Sequence, residues 1–139
     1  MRDSDESYVI GLCDKILNRR ASRQHRFNFL RGDPGKNGSC ATLPVDAYYS
    51  DRKLVIEYWE RQHLHPMPFM DKRMTCSGCT RGEQRKVYDR RKRQIVERNG
   101  ITVVVLRYEQ LDHNARGRLK RNRKADEPFI TGVLKEFAM

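Results

Sequence analysis

Leu43-Pro-Val-Asp46-Ala-Tyr-Tyr49-Ser-Asp-Arg-Lys53-Leu-Val-Ile-Glu57-Tyr-Trp-Glu60 is the stretch on which the fold turns. Residues 43 to 49 and 54 to 60 are rich in Val, Ile and Tyr, and they flank the polar, turn-like Ser50-Asp-Arg-Lys53. That pattern predicts a β-hairpin. Pairing Tyr49 with Leu54 across the four turn residues puts Asp46 opposite Glu57, and a tighter turn pairing Ser50 with Lys53 leaves this partnership unchanged. Directly opposite residues point to one face with Cβ atoms about 5 Å apart. Two carboxylates so placed repel, and burial in strands this apolar adds to the cost unless one is protonated or a cation sits between them. A divalent ion meets both demands, and oxygen ligands suit Mg²⁺ or Mn²⁺. The alternative is a carboxylate on a solvated face paired with an arginine.

Outward from the hairpin, residues 4 to 19 carry Tyr8, Val9, Leu12, Cys13, Ile16 and Leu17 at helical spacing, with acids in the first turn and Arg19 and Arg20 in the last. Arg26-Phe-Asn-Phe-Leu-Arg31 alternates as a strand and leads into a glycine-rich loop from Gly32 to Ser39. Residues 61 to 80 have no period and read as an irregular excursion. Thr80-Arg-Gly-Glu83 has capping-box form and starts a helix that Asn99-Gly100 ends. Ile101 to Leu106 suits a strand covered on both faces. Residues 113 to 124 read as basic loop, and Asp126-Glu-Pro128 opens a last helix. The expectation is a single α/β domain spanning residues 1–139, in αβββαβα order, with a mixed central sheet flanked by helices. With 139 residues, 37% of them hydrophobic, the chain has enough for one core.

Lys and Arg number 29 against 18 Asp plus Glu, a net +11. Residues 81 to 124 hold 15 of the bases and 5 of the acids, so the excess is localised. Nucleic acid is the expected partner, DNA before RNA. Arg85, Lys86, Arg90, Lys92 and Arg93 lie around the outer side of the helix that begins near Thr80, with Gln84, Tyr88 and Ile95 turned inward. Arg116, Arg118, Lys120 and Arg121 extend the surface, suited to phosphate contact. A solvated face that maintains solubility is the bland alternative. A membrane partner is not expected, because the basic stretches lack a broad apolar face and no apolar run approaches spanning length. The polar, acidic opening lacks a signal core, which points to the cytoplasm. Cys76-Ser-Gly-Cys79 has zinc-knuckle spacing, completable by Cys40, His63 or His65, against two plain thiols in a turn. Cys13 falls on the first helix's apolar stripe as core.

Pro44-Val-Asp46, ten intervening residues, and Ile56-Glu57 on a hydrophobic strand resemble the PD-(D/E)XK nuclease superfamily, over nearly the whole chain. Leu54-Val-Ile-Glu57 with His63 downstream is similar to its short, very-short-patch-repair-like members. Gln84-Arg-Lys-Val-Tyr88 has the Q-x-x-x-Y spacing of RecB-type exonucleases, whose residues there orient the metal site and the DNA. The resemblance implies a restriction-endonuclease-like fold and a metal-dependent DNA endonuclease or nickase, in repair or in restriction of foreign DNA. Asp46 and Glu57 would hold the metal. Trp59 stands where the family often has lysine, which leaves Glu60, Arg61, Gln62 and His63 as candidates for the missing group, Gln62 and His63 foremost. Glu6 on the first helix is either an outer ligand or a residue favouring the helix N-terminus. Rival readings are a catalytically silent nucleic-acid-binding domain on the same fold and a zinc-stabilised interaction module.

Overall fold

The computed structural model describes residues 4–35, 37–60 and 81–138. They form a single α/β domain: a four-stranded mixed sheet and three helices. The helices are α1 (Asp5–Leu17), α2 (Arg81–Arg98) and α3 (Arg123–Val133), and the strands are β1 (Ser22–Arg31), β2 (Thr42–Tyr49), β3 (Leu54–Trp59) and β4 (Thr102–Arg107). Short 3-10 turns cover Tyr108–Gln110 and Lys135–Phe137. The sheet order is β1-β2-β3-β4, antiparallel except for the parallel β3–β4 pair. Residues 61–80, with the irregular excursion and the Thr80 cap, lie outside the described residues.

Two apolar clusters sandwich the sheet. One joins Val9, Leu12 and Leu17 of α1 and Ile130 of α3 to Ala47, Tyr49, Leu54, Ile56 and Leu106. The other joins Val96 of α2 to Phe27, Leu30, Val45, Val55 and Val103. In β3, Leu54 and Ile56 face the first cluster and Val55 the second, as period-two geometry requires of a strand covered on both sides. In β2 the alternation breaks: Val45 and Ala47, two residues apart, enter opposite clusters, so the strand turns over at Asp46.

Three boundaries differ from expectation, each for a local reason. Asn18 adopts a left-handed conformation (φ 52°), and its N–H returns to Asp14 and Lys15 carbonyls, closing α1 before the two arginines. β1 begins at Ser22 instead of Arg26, because as an edge strand it keeps its polar half solvated and shows no apolar alternation there. α3 begins at Arg123: the Asp126 N–H already bonds the Asn122 carbonyl, so Pro128 sits inside the helix and not at its first turn. Within the basic segment, His113 and Leu119 form an antiparallel bridge around a turn whose N–H groups at Arg116 and Arg118 donate to Asn114 Oδ1. None of the described helices is long and apolar enough to cross a membrane.

Candidate metal centre

The hairpin has the expected register, with Tyr49 paired to Leu54, Tyr48 to Val55 and Ala47 to Ile56. The next step brings Asp46 to Glu57, and there side chains replace the ladder. The Asp46 N–H donates to Glu57 Oε2 at 2.7 Å, and the Tyr58 N–H donates to Asp46 Oδ2 at 2.7 Å. Each carboxylate thus caps a backbone donor of the opposite strand, which fixes both acids at the point where β2 turns over.

Two other elements complete the cluster. Lys92 of α2 places Nζ 3.2 Å from Glu57 Oε1. Glu6 of α1 stands beside Asp46, raising its pKa by its charge, and accepts from Gln24 Nε2 at 2.9 Å. Gln24 adopts φ 50°, an unusual conformation for a residue with a Cβ. The site therefore draws a residue from α1, β2, β3 and α2, with Gln24 of β1 behind it.

Three carboxyl groups face one ammonium. Burial, and then the neighbouring Glu6, push Asp46 up to about 7. Burial, and then Asp46, push Glu57 up to about 7, with Lys92 and the Asp46 N–H pulling the other way. Both shifts mean that ionised carboxylates here lack sufficient positive charge. The residues therefore fit a hard divalent cation: oxygen donors, net negative charge, and partial shielding from water. A carboxylate has about four lone-pair positions, so one N–H bond per oxygen leaves room for a metal. Among the described residues, no three Asp, Glu, His or Cys groups converge on one metal position, so the protein would supply at most two ligands and water or substrate the rest.

The other expected residues divide into several sets. Gln84, Tyr88 and Lys92 follow each other at four-residue intervals on one line of α2. The Tyr88 hydroxyl accepts from the Asp33 N–H at 2.9 Å and from Gln84 Nε2 at 3.2 Å, and Arg91 adds an ion pair to Asp33 at 2.8 Å. Their contact docks α2 on the end of β1. Lys86, Arg90 and Arg93 are exposed on α2 and Arg85 is half-buried, whereas Lys92, expected among the outer cations, points inward to Glu57. Arg116 is exposed. Arg118 and Lys120 are exposed at 3.7 Å from Asp5 and 4.0 Å from Asp112 respectively. Arg121 is largely buried, 3.3 Å from Asp5, with its guanidinium over the Tyr8 ring. It fastens the basic segment to α1. Gln62, His63, His65, Arg61, Cys76 and Cys79 lie outside the described residues, and Glu60 is exposed. Cys13 is buried in the first cluster, as its helical position implies, and its thiol is pushed up to about 12 by burial.

Sequence reasoning did not assign Lys92 to the centre, although the signal existed: it lies four residues beyond Tyr88 on the inward line. The contact of Glu6 with Asp46 depends on how α1 crosses the sheet, which no local pattern encodes. No protein-family model, curated protein or solved structure matches the chain.

Proposed function

We propose that this protein is a metal-dependent nuclease of PD-(D/E)XK type, hydrolysing phosphodiester bonds in DNA. The observation that carries the reading is the Asp46–Glu57 pair, cross-bonded between adjacent strands and adjoined by Glu6 and Lys92. A structural ion pair needs one acid per base, whereas this cluster holds three acids around one lysine. The mixed sheet with helices on both faces agrees with a restriction-endonuclease-like core.

In this mechanism Asp46 and Glu57 hold Mg²⁺ or Mn²⁺, with water or substrate as the further oxygen donors. When bound, the ion polarises the phosphodiester and lowers the pKa of the attacking water. Lys92 supplies a fixed positive charge beside Glu57, placed to offset charge growing on the phosphoryl oxygens. It stands in for the lysine whose strand position is occupied by Trp59. The reaction joins a water oxygen to phosphorus as the P–O bond to the departing nucleotide breaks. Arg90, Arg93 and Lys86 lie exposed on the helix that carries Lys92, so a phosphate backbone tracking that helix is led toward the centre.

Conversion of supercoiled plasmid to nicked or linear forms, in Mg²⁺ or Mn²⁺ and in chelator, tests the proposal. Cleavage should require the metal and disappear in Asp46→Ala and Glu57→Ala. Cleavage that survives both substitutions would remove the site. Metal-independent binding without cleavage would favour the silent nucleic-acid-binding domain.

A further inference from the structure

A ladder of rings runs along β1 and β2. His25 meets Phe27 with 4.6 Å between ring centres, and Phe27 stacks on Phe29 at 4.7 Å with planes 16° apart. Tyr48 touches His25 at 4.9 Å and Phe27 at 4.8 Å. Phe29 is 38% exposed at one end. The His25–Tyr48 end opens into a cavity of about 380 Å³, also lined by Ser22, Arg19, Arg20 and Asp51. Arg19 is held by Asp51 at 2.6 Å. Arg20 is exposed and makes no hydrogen bond or ion pair among the described residues.

One wall of the cavity, Tyr48, neighbours the metal centre along the sheet. Lys92 and Val96 are one turn apart on α2, and Val96, Val55 and Tyr48 share a cluster, so Glu57 and Tyr48 lie on the sheet face beneath α2. Tyr48 is two residues from Asp46 and pairs with Val55, two residues before Glu57, a spacing of roughly 7 Å along each strand. Neighbouring phosphates of an extended strand are similarly spaced. Rings with an accessible face beside a guanidinium suit stacking of a base with its phosphate held electrostatically, and only an unpaired base can present its face to them.

We propose that the cavity receives the base of an unpaired nucleotide next to the phosphate cleaved at Asp46 and Glu57, with Arg20 on its phosphate. The substrate class is therefore single-stranded or locally opened nucleic acid. The inference rests on the nuclease reading and narrows it.

Fluorescence anisotropy in chelator separates the two, because binding is then measured without cleavage. The probes are a short fluorescein-labelled oligothymidylate and a blunt duplex of equal length, titrated with the full chain and its Arg20→Ala and His25→Ala variants. His25→Ala should weaken oligothymidylate binding about tenfold, the size of one base–aromatic stack, and Arg20→Ala should weaken it and lower its salt slope by about 1, while both leave duplex binding unchanged. Arg20 is exposed, so its variant keeps the test valid if His25→Ala fails to fold. Unchanged oligothymidylate affinity in Arg20→Ala, or equal weakening toward both probes, overturns the inference even if plasmid cleavage still depends on Asp46. Failure of the wild-type chain to bind either probe overturns this inference and the nuclease reading together.

Discussion

Lys92 Nζ lies 3.2 Å from Glu57 Oε1, although the two residues are 35 positions apart and on different elements. This contact turns a pair of strand carboxylates into a centre with both acidic and cationic parts. Substituting Lys92→Met keeps the side chain's bulk and removes its charge. Cleavage should fall about 10²–10³-fold, the usual cost of deleting one preorganised electrostatic contact. Mn²⁺ affinity should stay the same or rise, since a competing cation has left. Loss of both together would make Lys92 merely structural.

Metal-free stability should fall as pH rises. The folded pKa values of Asp46 and Glu57, both about 7, lie above the ordinary carboxylate values of 3.8 and 4.5. Between about pH 4 and 7 the folded state therefore holds more protons than the unfolded state, so its stability drops through that window. Thermal melts in chelator should give a higher Tm at pH 5.5 than at pH 8. Asp46→Asn should flatten the difference, and Mn²⁺ should raise Tm at pH 8, while at pH 6 its binding should release protons. A metal-free Tm that climbs from pH 5.5 to 8 would contradict the shifts.

Tyr88 leaves no room for a side chain at position 32. A Cβ on Gly32 would lie 2.9 Å from the Tyr88 hydroxyl and 3.2 Å from Leu43 Cδ2. Gly32→Ala should cost about 1–3 kcal/mol, as overpacking does. Tyr88→Phe removes the contacting oxygen and should recover part of that loss in the double variant, a coupling measurable by chemical denaturation. Additive costs would place the strain elsewhere.

The arginines should separate into two classes. Arg121→Ala leaves Asp5 Oδ1 without its guanidinium partner, the Leu119 N–H remaining on Oδ2, and should cost roughly 2 kcal/mol of stability. Arg90→Ala and Arg93→Ala should change stability by less than about 0.5 kcal/mol. Each should weaken DNA binding and lower the salt slope by about 1. Denaturation and salt-dependent binding of the three variants check this division.

The hairpin was legible because turn length and period-two alternation together fix register, so Asp46 opposite Glu57 follows from local pattern. Lys92 was half-legible: its spacing from Gln84 and Tyr88 marks one helical line, but its charge suggests the solvent side in a helix so rich in arginine. The N-terminal half of β1 was hidden by its polarity as an edge strand, and Gln24's left-handed backbone breaks the alternation that would have revealed it. Arg121 looks like any other basic loop residue until α1 brings Asp5 and Tyr8 against it.

Isothermal titration of the metal-free protein with Mn²⁺ at pH 8, beside the Asp46→Asn/Glu57→Gln variant, tests the central claim most directly. The wild-type chain should bind Mn²⁺ at this centre, and the variant should lose that binding while remaining folded. Equal Mn²⁺ binding by the two proteins, or none by the wild type, would contradict a metal centre at Asp46 and Glu57.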